Sequence, residues 1–286
     1  KYAQGQNSRN IDLAAYLTTR MPATFAAITH VLQEMARMKP DFSPTNLADV
    51  GAGPGTASWA ALHVWPQIAH IKMIEADKRF AALAQHIAQN ANLTALTNAT
   101  MIEDKLASAN VTAEMIVAAY VFAELPEHEA AASALKLWAQ SENLLVIIEP
   151  GTPRGFARIR SAREALLGAG ANIVGPCTHA KACPMAGQDW CHFAVRLARS
   201  REHMHAKQAT VPFEDENFAW VAVSREVTIL PEARIIKPTE TNKFQISMPL
   251  CSAEGLTTRV IATRNKAAYK MARKKAWGDA VGESGE

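Results

Sequence analysis

The feature that most constrains the fold is a run of alternating glycines, Asp49-Val-Gly-Ala-Gly-Pro-Gly55. It lies between a short apolar run, residues 46–50, and a stretch with helical spacing, residues 57–64. Gly51, Gly53 and Gly55 allow a tight turn at a helix start and let a ligand lie against bare backbone amides. The strand-turn-helix pattern then repeats. Residues 71–74, 99–102, 115–119 and 144–148 read as strands, and 79–89, about 126–139 and 158–167 as amphipathic helices. Apolar strands alternating with such helices predict an α/β fold, a parallel sheet covered on both faces. Residues 10–38 form a helical preface, with Pro22 opening its second helix. A cysteine-rich stretch without period, 173–192, precedes three more strands (218–223, 244–248, 258–262) and a basic helix over 266–277. The expected division is a helical segment 1–44, a Rossmann-like domain 45–172, and a metal-binding and β region 173–286.

The loop's chemistry narrows the ligand. A nicotinamide fingerprint would place its third glycine where Thr56 stands. Asp49, two residues before the first glycine, instead fits the methyltransferase version, in which the acid helps receive the cofactor's amino-acid portion. Glu75 ends the second strand at the spacing expected for gripping a ribose diol. Asp104, after the third strand, is placed to meet the adenine amine. Asp49, Gly51, Gly53, Gly55, Glu75 and Asp104 are therefore the expected S-adenosylmethionine-binding residues of a class I methyltransferase fold.

An acceptor motif is harder to find. Enzymes that methylate an exocyclic amine of RNA carry Asn or Asp followed by Pro-Pro and an aromatic after the fourth strand, where a flipped base stacks. Here the stretch reads Ala118-Ala-Tyr-Val-Phe-Ala-Glu124, without the Pro-Pro pair, and no cysteine lies near the fourth or fifth strand to attack a pyrimidine ring. Tyr120, as a stacking surface, and Glu124, as a proton acceptor, are the catalytic candidates. Core packing and a helix-start carboxylate are their ordinary alternatives. Glu149-Pro-Gly151 either lines the acceptor pocket or makes the turn after the fifth strand.

All four cysteines, Cys177, Cys183, Cys191 and Cys251, lie in the second half of the chain, three of them in one polar stretch. A loop with little apolar core of its own needs a crosslink, and four thiolates suit either tetrahedral zinc or a four-iron, four-sulfur cluster. Cys183-Pro184 matches the Cys-Pro step of ferredoxin loops. His179 and His192 are replacement ligands, supporting groups behind the ligands, or RNA-facing residues. The close C-x3-C-x2-C run of radical S-adenosylmethionine enzymes is absent.

The net charge is only +3, but basic residues fall into three groups. They are Arg154, Arg158, Arg160 and Arg163; Arg196, Arg199 and Arg201; and Lys266, Lys270, Arg273, Lys274 and Lys275. Such grouping predicts a polyanionic partner. No apolar run approaches the roughly 20 residues of a membrane span, so a soluble, cytoplasmic protein without a membrane partner is expected. The chain opens on Lys rather than Met, so its true start is expected upstream, and a mitochondrial address follows if a targeting segment has been removed.

Taken together, Gly51-Ala-Gly-Pro-Gly-Thr-Ala-Ser-Trp59, Glu149-Pro-Gly-Thr-Pro153 and Cys177-x5-Cys183-Pro-x6-Cys191-His-Phe193, followed by Arg196 and Arg199, resemble the methyltransferase-like proteins of the bacterial and mitochondrial small ribosomal subunit. The likeness covers residues 46 to about 264. It implies a role in assembling or translating with the small subunit, contact with its ribosomal RNA, and a four-iron, four-sulfur cluster on Cys177, Cys183, Cys191 and Cys251. It leaves open two kinds of protein: an RNA methyltransferase, or a non-catalytic assembly factor whose metal site is structural or sensing.

Overall fold

The computed structural model describes residues 12–185 and 189–282. The start of the expected preface therefore lies outside the described residues. Asp12 caps α1 (Leu13–Ala15), its carboxylate accepting from the Ala14 amide at 2.9 Å. A π-helical turn (Tyr16–Arg20) leads into α2 (Met21–Met38). Pro22 has no N–H to donate, and the widened turn before it absorbs the missing bond of a continuous α ladder. Then follow β1 (Asn46–Val50), α3 (Thr56–Val64), β2 (His70–Ile74), α4 (Lys78–Gln89), α5 (Thr94–Thr97), β3 (Thr100–Ile102) and β4 (Ala113–Ala119). The chain continues through α6 (Ala130–Gln140), β5 (Ser141–Pro150), α7 (Pro153–Gly168), β6 (Asn172–Gly175), β7 (Phe193–Ala198), α8 (Arg201–Ala206) and β8 (Phe213–Ser224).

These strands form one sheet in the order β3-β2-β1-β4-β5-β8-β6, with β7 also paired to β8. β1 to β5 run parallel, whereas β8 is antiparallel to β5, β6 and β7. The apolar runs of β4 and β5 follow from burial on both faces. α2 and α3 cover one side through Ile28, Leu32, Ala57 and Ala60. α6 and α7 cover the other through Leu137, Ile159 and Leu166. The order reverses between β1 and β4, opening a crevice at their carboxyl ends where ligands bind in such sheets.

The expected boundary at residue 172 does not separate two units. β7 and β8, from the region set apart as metal-binding, complete the first sheet, because β8 inserts between β5 and β6 and supplies the apolar strip Phe218–Val223 that both need. The genuinely separate layer begins later. β9 (Ala233–Ile235), β10 (Glu240–Thr241), β11 (Gln245–Ser252), β12 (Gly255–Ala262) and β13 (Ala280–Val281) form a second sheet. Its small core of Ile235, Ile246, Met248 and Leu250 is closed by α9 (Lys266–Ala272). Arg234 fastens this layer to the first. It is buried, pairs with Glu34 of α2 at 2.7 Å, and donates to the carbonyls of Pro176 and Gly278 at 2.6 Å each. Among the described residues no helix is long and apolar enough to cross a membrane.

Candidate cofactor and metal site

The glycine loop leaves β1 at the switch point. Gly51, Gly53 and Gly55 all have positive φ (73°, 55° and 85°), a conformation that costs other residues steric strain. A Cβ on Gly51 would run into the Val121 side chain, so the loop packs directly on the end of β4. The Gly51 and Ala52 amides donate to the Ile74 carbonyl at 2.9 and 3.0 Å, pinning the loop to β2. Gly51→Ala is expected to destabilise the protein by about 1–3 kcal/mol through strain and overlap and to abolish ligand binding at the loop, as read by calorimetric titration alongside a denaturant midpoint. Unchanged binding would show that the loop is only a turn.

The four acids around this loop have different roles. Glu75 accepts from the Gly53 amide at 2.7 Å and the Asp77 amide at 2.8 Å, so its carboxylate is tied to the loop. Asp49 does not face the mouth. It is buried beneath the loop and accepts from the Ser58 amide at 2.9 Å and hydroxyl at 2.8 Å, tying β1 to α3. Burial pushes its carboxyl up to about 6 against those hydrogen bonds. Asp104 accepts from the Lys105 amide at 2.7 Å and from the Ser108 hydroxyl, so it shapes the turn after β3. Glu124 sits on the rim. Desolvation, with the negative charges of Glu75 and Asp77, raises its pKa.

At the end of β4, Tyr120 has φ 63° and donates its hydroxyl to Glu216 of β8 at 3.1 Å. Glu216 also pairs with Arg20 at 2.9 Å, and the Arg20 guanidinium lies 4.9 Å from the centre of the Tyr120 ring. One turn earlier, Tyr16 rests edge-on against Phe80 at 4.9 Å, with its hydroxyl toward Gly53. Sequence reasoning missed Tyr16, Arg20 and Glu216. Their only signal was a Tyr and an Arg four residues apart in the helical preface, which lacks any link to an acid nearly 200 positions away. Glu149 is fully buried and accepts from the Phe122 amide at 2.9 Å, so it braces the turn after β4, while burial pushes its carboxyl up to about 8.

The four cysteines converge. Cys177, Cys183 and Cys191 come from the stretch between β6 and β7, Cys251 from β11 of the second sheet, and all four line one cavity together with Arg163 and Arg234. Burial pushes the thiols of Cys177 and Cys191 up, and Cys251 up to about 11, with the neighbouring cysteines adding to the rise at each. Arg163 of α7 donates to the Cys177 sulfur at 3.1 Å and to the carbonyls of His179 and Lys181 at 2.8 Å each. His179 stands 3.8 Å from the Cys251 sulfur, and its Nδ1 is buried without a partner. His192 packs instead, stacked on Trp190 at 5.1 Å and edge-on to Trp277 at 4.9 Å. Among the described residues, no three His, Cys, Asp or Glu side chains gather closely enough to hold a single metal ion.

The basic groups divide sharply. Arg158 and Arg163 are buried, and Arg158, Arg160 and Arg163 donate to backbone carbonyls. Arg196 pairs with Asp215 at 2.7 Å, and Arg199 and Lys207 with Glu214 at 3.2 and 2.6 Å. By contrast Lys266, Lys270, Arg273 and Lys274, on and just after α9, are exposed.

The strand order with its one antiparallel insertion and the glycine loop at the switch point define a class I methyltransferase fold, here joined to a second sheet by a cysteine-lined cavity. Residues 10–282 match the family model described as mitochondrial small ribosomal subunit Rsm22, and the chain belongs to that family. It is 23% identical over 285 residues to the human ribosome assembly protein METTL17, mitochondrial, covering 92% of this chain and 61% of that one. It is 24% identical over 324 residues to Rsm22-cox11 tandem protein 2, mitochondrial, of Schizosaccharomyces pombe, covering 93% and 42%. This chain thus spans less than two thirds of the length of either relative. Both are mitochondrial by name, and neither lends support to the cytoplasmic expectation. Among solved structures it is similar to a magnesium protoporphyrin IX methyltransferase from Synechocystis PCC 6803 with bound S-adenosylmethionine, at 15% identity and TM-score 0.48, covering 79% of this chain and 88% of that one.

Proposed function

We propose that this chain works on the small ribosomal subunit as an assembly protein that binds S-adenosylmethionine in the glycine loop and a four-iron, four-sulfur cluster on Cys177, Cys183, Cys191 and Cys251. The observation that carries the reading is the meeting of four distant thiols in one cavity beside two buried guanidiniums. Four thiolates around one zinc stand about 3.8 Å apart, given a Zn–S bond of about 2.3 Å. Four thiols lining one cavity also offer the ligand number of a four-iron, four-sulfur cluster. Arg163 and Arg234 offset the negative charge that thiolate ligands bring, and hydrogen bonds to sulfur tune such clusters.

The loop favours a cationic ligand over a polyphosphate. Glu75 already occupies the Gly53 amide, and Glu124 adds a second carboxyl at the mouth. That surrounding suits a sulfonium and an ammonium and repels a pyrophosphate. The Gly51–Gly55 backbone and Glu75 would hold the cofactor, with Asp49 keeping the loop in shape from below. When bound, S-adenosylmethionine supplies an electrophilic methyl group, which makes small-subunit RNA methylation the chemistry on offer. One observation favours the non-catalytic version: Tyr120, where an acceptor base would stack, spends its hydroxyl on Glu216 and its ring face on Arg20. Incubating the anaerobically prepared protein with labelled S-adenosylmethionine and immature small subunits separates the two. Label in the RNA establishes the enzyme, co-sedimentation without label the assembly factor, and absence of both overturns the reading.

The exposed cations of α9 form the RNA-facing surface in this account. Replacing Lys266, Lys270, Arg273 and Lys274 by Gln is expected to reduce the slope of log affinity against log salt by about 3, from roughly 0.7 per phosphate contact to a single strand. An unchanged slope in filter binding to small-subunit RNA would place the contact elsewhere.

A further inference from the structure

We propose that Arg20, which ends the π-helical turn whose Tyr16 stands beside Gly53, is the counter-ion for the carboxylate of the cofactor's amino-acid tail, with Tyr16 closing the cradle. The inference rests on the S-adenosylmethionine reading of the loop and deepens it.

The ligand's tail carries an ammonium and a carboxylate next to a sulfonium. Glu75 and Glu124 at the mouth suit the cationic parts and repel the carboxylate, which needs a positive partner of its own. Asp49 was the residue expected to receive the tail, but it is buried and committed to Ser58. On the β2 side of the mouth, Lys78 pairs with Glu103 at 3.6 Å and Arg79 with Asp77 at 2.8 Å, so those cations serve the rim. Arg20 stands on the other side, 4.9 Å from the Tyr120 ring, and the next residue, Val121, is the one that a Cβ on Gly51 would strike. The guanidinium thus lies on the Tyr120 ring, next in sequence to the residue that packs on Gly51, while Tyr16 one turn earlier stands by Gly53.

The guanidinium is also held in a way that leaves it usable. Both Glu216 oxygens lie 2.9 Å from one nitrogen, Nη1, and Tyr120 fixes the Glu216 carboxylate from its other side. Nε and Nη2 make no hydrogen bond among the described residues, and the side chain keeps 27% of its exposure. A planar fork with one edge anchored and one edge open is the arrangement that receives a carboxylate in fixed orientation. Glu216 and Tyr120 are then positioning residues for Arg20, which gives a use to an ion pair that joins the first helical turn to the last strand of the sheet.

The test compares ligands with and without the tail. Calorimetric titration of the full chain with S-adenosylmethionine and with 5′-methylthioadenosine, which keeps the nucleoside and lacks the amino acid, separates the two ends of the site. Arg20→Met is expected to weaken S-adenosylmethionine roughly 10- to 100-fold, the range of a charge-assisted hydrogen bond, and to leave 5′-methylthioadenosine unchanged. Because Arg20→Met strands the Glu216 charge, the double variant with Glu216→Gln is measured beside it, and the same selective loss is expected. Equal weakening of both ligands in the double variant, or no weakening of S-adenosylmethionine, overturns the assignment. A wild-type protein that binds neither ligand overturns the cofactor reading itself and the Arg20 role with it.

Discussion

Cys191→Ser is expected to release the iron and loosen the segment around it. Burial raises the Cys191 thiol well above its usual range, and Cys177, Cys183 and Cys251 all add to that rise. A serine hydroxyl is too hard a ligand and too weak an acid to replace a thiolate on iron. Without the crosslink, the stretch from β6 to β7 retains few apolar anchors, chiefly Met185 and Phe193. Metal binding free energy in such a loop is folding free energy. A loss of about 4 kcal/mol, the linkage at a ligand level about 1,000 times Kd, lowers Tm by roughly 10 °C in a chain of this size. Hydrogen exchange should accelerate first in residues 176–185 and 189–192. If Cys191→Ser keeps the iron content and Tm of the wild type, Cys191 is not a ligand.

The second large effect is on pH dependence. Burial pushes the Glu149 carboxyl from 4.5 up to about 8 in the folded protein, so the native state holds a proton that the unfolded chain gives up. Stability is then full below about 4.5 and is lost as pH rises through 8, by on the order of 5 kcal/mol, since each pKa unit is worth about 1.4 kcal/mol. Glu149→Gln keeps an acceptor for the Phe122 amide and cannot ionise. It should match the wild type near pH 5 and exceed its stability increasingly toward pH 8.5 in urea denaturation. Parallel profiles for the two proteins would show that the carboxyl does not carry this proton. The same strand links the two sites, because the Gly151 carbonyl two residues on accepts from the Trp190 indole at 3.0 Å, immediately before Cys191.

What the sequence made legible was local. The glycine loop and the parallel strands rest on residue type at short spacing and are found where that spacing implied, whereas the meeting of Cys251 with the other three cysteines depends on how the second sheet docks. The placement of β8 was not legible, because nothing within residues 213–224 says that they insert between two strands already formed. The turn of Asp49 toward Ser58 was not legible for a related reason, since it depends on packing beneath the loop. The basic groups misled in part. Arg158 and Arg163 group with residues expected to face a polyanionic partner, yet the structure buries them and directs them to Leu125 and the cysteine loop. The basic helix also stops at Ala272 rather than Trp277. There the Ala276 amide is drawn to Asp279 at 2.7 Å and the Gly278 amide to the Ile235 carbonyl at 2.9 Å, so the second sheet takes over the chain.

The thiol-lined cavity is the feature on which the account chiefly depends, and counting its metal tests it most directly. Full chain purified without oxygen should carry about four iron and four acid-labile sulfide per molecule, the stoichiometry of a cluster on four cysteines. About one zinc per chain with no iron and no sulfide would contradict it.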